Sequence, residues 1–193
     1  KALLDVRAQY AASATAVQVL YTSRDPFTQK VFVDKGSGAG IVAGAGVVDE
    51  NGVVGQVTRV FPYMAEVTLI TDRDQAVPVQ VERSGARSVL FGNGTGRSPE
   101  LRFTSPSADL RIGDRLVTSG LDGTYPPGLA VAQIIDVVKD AGQMFARIVC
   151  KPLAGIDHSE FLLVLSQSTA MPPRPEEPGE ADTTKKAGRK GRR

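Results

Sequence analysis

Val47-Val48-Asp49-Glu50-Asn51-Gly52-Val53-Val54-Gly55-Gln56-Val57 decides the fold class. Two β-branched runs flank an Asn-Gly pair, which signals a tight hairpin because its turn needs positive φ. Valine favours such a setting, since its branched Cβ is stiff and packs well on a pleated surface. Working outward, the same pattern recurs at 17–21, 29–33, 46–48, 53–60, 66–70 and 77–81, then at 88–91, 100–104, 115–118, 130–138, 144–150 and 161–165. Ser84-Gly85, Asn93-Gly94, Asp122-Gly123 and Pro126-Pro127-Gly128 separate the runs as turns. About twelve short strands at this spacing predict sandwiches or small barrels rather than a βαβ sheet. The expected fold class is mainly β.

Composition agrees. The 193 residues are 41% hydrophobic, enough for a folded core, and the 20 Gly and 12 Pro suit strands joined by many turns. Aromatics are 6% with no Trp, which is thin for base stacking or sugar platforms. No apolar run approaches the roughly 18 residues of a membrane helix. The chain begins at Lys1 rather than Met and reads as a fragment of a longer protein. Its net charge of +2 is uneven: residues 1–167 hold 16 Lys+Arg against 17 Asp+Glu, and residues 168–193 hold 7 against 4. The near-neutral body offers no phosphate-tracking face, so nucleic acid is not an expected partner. With one Cys (Cys150) and one His (His158), neither an internal disulfide nor a Cys/His zinc set is possible.

A weak internal repeat suggests two β units. Val42 to Val48 aligns with Arg111 to Val117, and Gly-led strands follow at Gly52 and Gly128, the second with one extra residue, as a bulge would give. The expected division is 1–16 as the end of a helix, 17–75 and 76–167 as two β-barrel-like subdomains, and 168–193 as a disordered tail. The strand 161–165 is free to return to the first subdomain. Leu3, Val6 and Tyr10 fall at the a/d spacing of a coiled-coil seam, so residues 1–16 read as the end of a coiled coil or as a helix capping the body. The tail holds too little apolar surface to offset its ordering entropy.

No motif carries chemistry. Gly36 to Gly46 is glycine-rich, but a phosphate cradle must open a helix and these residues run into a strand. His158 lies beside Asp157, Ser159 and Glu160, yet no G-x-S-x-G elbow occurs, and Ser119-Gly120 lacks the preceding Gly-Asp of a serine protease. A degenerate chymotrypsin-like hydrolase on a double barrel is the alternative to a non-catalytic protein. Asp72-Arg73-Asp74 and Asp34-Lys35 read as solvated turns, and Glu66 as an outward-facing strand residue. No catalytic residue, metal ligand or cofactor is expected.

The order of motifs resembles the rod-shape-determining MreC family. Phe32-Val33-Asp34-Lys35-Gly36 with Gly40, the Asn-Gly hairpin, Leu69-Ile70-Thr71-Asp72 before Val77-Pro78-Val79, and Ser84-Gly85-Ala86-Arg87 leading to Leu90-Phe91-Gly92-Asn93-Gly94 carry the first half. Gly113 to Gly123 and Tyr125-Pro126-Pro127-Gly128-Leu129-Ala130-Val131-Ala132 carry the second, so the likeness spans about Gln18 to Leu165. Arg73 and Ser88 stand where that family has Pro and Gly, which alters turns only. The resemblance implies a non-enzymatic periplasmic scaffold of cell elongation, anchored to the bacterial inner membrane by an N-terminal helix absent from this fragment. It also implies self-association as a dimer or antiparallel filament, and contacts with MreD and the class B penicillin-binding protein of elongation. Residues 1–16 would then close a coiled coil.

Overall fold

The computed structural model describes residues 14–104, 107–138 and 147–166. Among these described residues twelve strands follow one another: β1 Ala14–Thr22, β2 Lys30–Val33, β3 Gly46–Val48, β4 Val53–Val60, β5 Ala65–Leu69, β6 Ala76–Val81, β7 Arg87–Phe91, β8 Glu100–Arg102, β9 Arg115–Thr118, β10 Ala130–Val138, β11 Arg147–Pro152 and β12 Phe161–Leu165. They close into two six-stranded barrels, ordered β1-β12-β3-β4-β5-β2 and β10-β11-β8-β7-β6-β9. Every strand pairing among the described residues is antiparallel, as short turns between consecutive strands require. The last strand belongs to the first barrel, where Leu163 pairs with Ala16 on one side and with Val48 on the other.

The strand pattern explains how the barrels pack. Val47, Val54, Val57, Val67, Leu162 and Val164 point inward and fill barrel 1 together with Val17 and Val33. Their neighbours Val48, Val53, Ile70, Leu163 and Leu165 point outward, yet they are buried too, in one core with Leu116, Ile134 and Ile148 of barrel 2. Barrel 2 therefore covers one outer side of barrel 1. The strands at this seam are buried on both faces, which is why they read as continuous apolar runs rather than alternating ones. Tyr125 seals the seam: its ring lies where a Cβ on Gly46 would be 2.7 Å from Cδ1 and Cε1, and its hydroxyl donates to the Gly55 carbonyl at 2.6 Å.

Local features depart from the sequence expectations in four places. Ala14, Thr15 and Ala16, assigned above to the end of a helix, open β1. Their ladder to Leu165, Val164 and Leu163 outweighs alanine's weak helical preference. Leu3, Val6 and Tyr10 lie outside the described residues, as do 144–146 and the tail. The strand expected at 100–104 stops at Arg102, because Phe103 takes φ 59 and breaks the ladder. Glu66 faces outward but is only 5% exposed; its Oε1 accepts from Lys30 Nζ at 3.2 Å and Thr58 Oγ1 at 2.9 Å. At Asn51-Gly52 the glycine is demanded by close approach, since a Cβ would sit 2.4 Å from the Ala130 carbonyl oxygen of barrel 2. The repeat corresponds to two antiparallel pairs, β3–β4 and β9–β10, and a register shift lies between Ala130 and Ala132, where the extra residue was expected.

Candidate interaction surface

The side chains nearest to a catalytic constellation sit around a cleft of about 270 Å³ lined by Asp49, Asn51, Gly155, His158, Ser159 and Glu160, among others. Asp49 closes the β3–β4 turn: its Oδ1 accepts the N–H groups of Asn51 at 2.7 Å and Gly52 at 2.9 Å. Its Oδ2 accepts the Gly155 N–H at 2.7 Å and the Ser159 hydroxyl at 2.9 Å. Four donors thus occupy one buried carboxylate and tie the loop before β12 to the β3–β4 turn. Ser159 donates its hydroxyl hydrogen bond to Asp49 rather than to His158, whose one hydrogen bond among the described residues is from its backbone N–H to the Gly155 carbonyl. A nucleophile needs its own base within reach. This serine has a carboxylate that is already saturated, so nothing here favours the hydrolase alternative. Among the described residues no group of three His, Cys, Asp or Glu could hold a metal ion. Cys150 lies in the barrel 2 core; burial, and then the charge of Glu100, push its thiol up to about 12, so it is inert as a nucleophile.

What the surface does offer is apolar. Because both barrels are closed, none of the described strands is left at an open sheet edge for a partner to extend. Contacts must be made by side chains. On barrel 1, Tyr21 stacks on Phe32 with ring centroids 4.8 Å apart, beside the exposed Leu20. At the β4–β5 hairpin, Tyr63 is 86% exposed and Phe61 41%. That hairpin is held rigidly, because Ser37 and Gly38 donate backbone N–H groups to the Phe61 and Pro62 carbonyls. A Cβ on Gly36 would lie 1.8 Å from the Phe61 oxygen, so only glycine allows this approach. On barrel 2, Phe103 is 80% exposed and meets Phe91 edge-on at 5.8 Å, while the Arg102 guanidinium lies 4.9 Å above the Phe91 ring. Large aromatic groups left in water on rigid supports are what recognition surfaces are made of.

Two six-stranded barrels joined in this way are also found in proteins already known. The family model described as "Rod shape-determining protein MreC, barrel core" matches residues 19–166. The chain belongs to the MreC family. This MreC barrel core is 39% identical over 163 residues to the cell shape-determining protein MreC of Escherichia coli (strain K12), covering 83% of the chain and 44% of the relative. The chain therefore spans less than half the length of that relative. It matches a crystal structure of MreC from Pseudomonas aeruginosa at 38% identity with a TM-score of 0.75, over 79% of this chain and 98% of that one. A third match, at 18% identity and a TM-score of 0.66 over 80% and 98% of the two chains, is to a complex between penicillin-binding protein PBP2 and MreC from Helicobacter pylori, and it shares the fold. MreC proteins determine cell shape. Sequence reasoning missed the aromatic surfaces of this MreC barrel core, because an outward Phe and an inward Phe look alike until strand register is known. Only Phe61-Pro62-Tyr63, apolar residues on a turn, carried a local signal.

Proposed function

We propose that this chain is the barrel core of a non-enzymatic periplasmic scaffold, anchored to the bacterial inner membrane, which maintains cell shape by self-assembling and by organising peptidoglycan synthases. The class B penicillin-binding protein of elongation and MreD are its partners, and a dimer or antiparallel filament is its assembled form. The observation that carries this reading is the combination of closed barrels with rigidly supported, exposed aromatics and a Ser159–Asp49 pair that excludes His158. A molecule of this kind acts by binding. The named PBP2–MreC complex from H. pylori supports the partner class.

The test uses the full-length protein in cells lacking their own copy. Tyr21→Ala, Tyr63→Ala and Phe103→Ala, singly and together, should leave the protein folded and abundant. At least one should round the cells and reduce co-purification of the elongation penicillin-binding protein. If the triple variant supports rods and captures the synthase as the parent does, the surface reading is wrong. Leu3, Val6 and Tyr10 are the proposed self-association seam. Leu3→Ala with Tyr10→Ala should weaken sedimentation-detected association, and an unchanged profile across concentrations would remove the seam.

A further inference from the structure

Strand alternation would carry Phe103 into barrel 2. Leu101 faces the core and is buried, Arg102 faces out, and the next residue of β8 would face in again. Instead Phe103 takes φ 59, a region that a phenylalanine rarely adopts, and its side chain is turned out to 80% exposure. Among the described residues it is the one non-glycine at positive φ. The turn is fastened from β7. The buried Ser88 hydroxyl donates to the Arg102 carbonyl at 3.0 Å and shares a hydrogen bond of 2.7 Å with the Thr104 hydroxyl, one contact on each side of Phe103. A strained backbone held in place to put a phenyl ring in water leaves that ring for another molecule to cover. Beside it, the Arg102 guanidinium lies over Phe91, and register sets Arg102 opposite Val89, two residues along the same face from Arg87. Neither arginine makes an ion pair among the described residues, while Glu100, the carboxylate on this side of β8, is held by Arg147. The corner is aromatic, positive and exposed.

The opposite character is found on barrel 1. The cleft of about 270 Å³ described above is lined by Glu50, Glu160 and Phe161 as well as by Asp49, and Phe161 is 52% exposed. Glu50 and Glu160 are exposed and make no ion pair among the described residues; Glu160 accepts only from the Gln18 side chain, at 3.2 Å. The four donors on Asp49 fix both walls of the cleft, the β3–β4 turn and the loop before β12. Phe103 of the same chain is not among the residues that line it. A concave site with an aromatic wall and two unpaired carboxylates matches, in shape and in sign, an outward ring flanked by two unpaired arginines.

We infer that the Phe103 corner of one molecule seats in the Glu50–Glu160 cleft of a second copy, with Phe103 against Phe161 and the Arg87 and Arg102 guanidiniums on the two carboxylates. The inference rests on the proposed self-association and gives it a contact separate from the seam at Leu3, Val6 and Tyr10. Both halves are preset, the ring by its clamped backbone and the cleft by Asp49, so little freedom is lost when they meet. Each molecule brings both halves of the contact, so a pair uses it reciprocally or a row of copies extends it.

The test uses the full-length protein with the photo-crosslinker p-benzoylphenylalanine in place of Phe103. Isotopically light and heavy preparations are mixed, so that links within one copy and between copies differ in mass. Links from position 103 to residues 50–51 or 158–161 of a second copy are expected. Glu50→Lys with Glu160→Lys should cut their yield about tenfold or more, and so should Arg87→Glu with Arg102→Glu, because like charges then meet. Mixing these two variants sets opposite signs against each other again and should restore the links, which also shows that both are folded. Links confined to one copy, to a penicillin-binding protein, or to another part of the second copy overturn the inference. So does a mixture of the two variants that stays unlinked. Sedimentation separates this from the proposed function: association that persists without these links removes only the contact, whereas a protein that does not associate removes the self-assembly too.

Discussion

Tyr125 is the side chain on which the union of the barrels most depends, and its removal can be worked through quantitatively. It is 4% exposed, packs on Gly46 and donates to Gly55 across the seam. Tyr125→Phe removes only the hydroxyl, a loss of about 1 kcal/mol for one buried hydrogen bond. Tyr125→Ala also empties the space under the ring and should cost about 3–5 kcal/mol. Gly46→Ala approaches the same contact from the other side: the new methyl would lie 2.7 Å from the ring carbons, so the ring must move. Overpacking of this kind costs about 1–3 kcal/mol. In the double variant Gly46→Ala/Tyr125→Ala the methyl enters the vacated space, so the two effects should fall short of their sum by about 0.5–3 kcal/mol. Urea titration of all four proteins measures the coupling, and in heating each kcal/mol should move the midpoint by about 2–4 °C. Additive costs within about 0.5 kcal/mol, or a near-neutral Tyr125→Ala, would refute the packing argument.

Four further outcomes are expected. Burial first, and the charge of Asp122 second, raise the Tyr125 phenol above its ordinary range. The unfolded tyrosine ionises near pH 10, so this contribution is intact below about pH 10 and is lost as pH rises further, and phenolate absorbance from Tyr125 should appear only with unfolding. Asp114 and Asp109 are held below the usual carboxylate range, chiefly by hydrogen bonds from Arg83; their support is present above about pH 4 and is lost as pH falls, so Arg83→Gln should flatten the acid-unfolding curve. Asp49→Ala strands three backbone N–H groups and should destabilise by about 3 kcal/mol or more in urea titration, whereas His158→Ala should change neither stability nor rod growth. The Cys150 thiol should stay unlabelled by a thiol reagent at pH 8 and react at the rate of unfolding; rapid labelling would show that the barrel 2 core is open.

All twelve strands of the described residues were legible in the sequence because β-branched runs between Gly, Pro and Asn turns leave few alternatives. Ends fared worse. Phe103 has a strand former's side chain, but it sits at positive φ, which nothing in its own chemistry signals. Pairing was out of reach for a different reason. Leu162 to Leu165 are apolar on both faces, a pattern that fits a central strand of either barrel, and only the long-range ladder to Ala16 and Val48 assigns it. Asp49 carried no local signal at all. Its role as a four-way acceptor depends on Gly155 and Ser159, which are over 100 positions away. The family motifs were readable because they are turns and close contacts, among them Gly36, Gly52 and Tyr125, where geometry tolerates few residues.

The return of β12 to barrel 1 sets an order of events as the chain is made. Barrel 2 is contiguous, from Ala76 to Pro152, and can close as soon as β11 is available. Barrel 1 cannot. Its first five strands emerge early, but β1 and β3 have no partner between them until Phe161–Leu165 arrives. Over that interval the molecule carries two unpaired ladders and the apolar outer side that barrel 2 will cover, a state in which chains of this type pair with one another or with a chaperone. Truncation shortly before Phe161 should therefore leave a folded second barrel joined to an aggregation-prone first half. The last strand acts as a quality check that only a chain made past Leu165 passes.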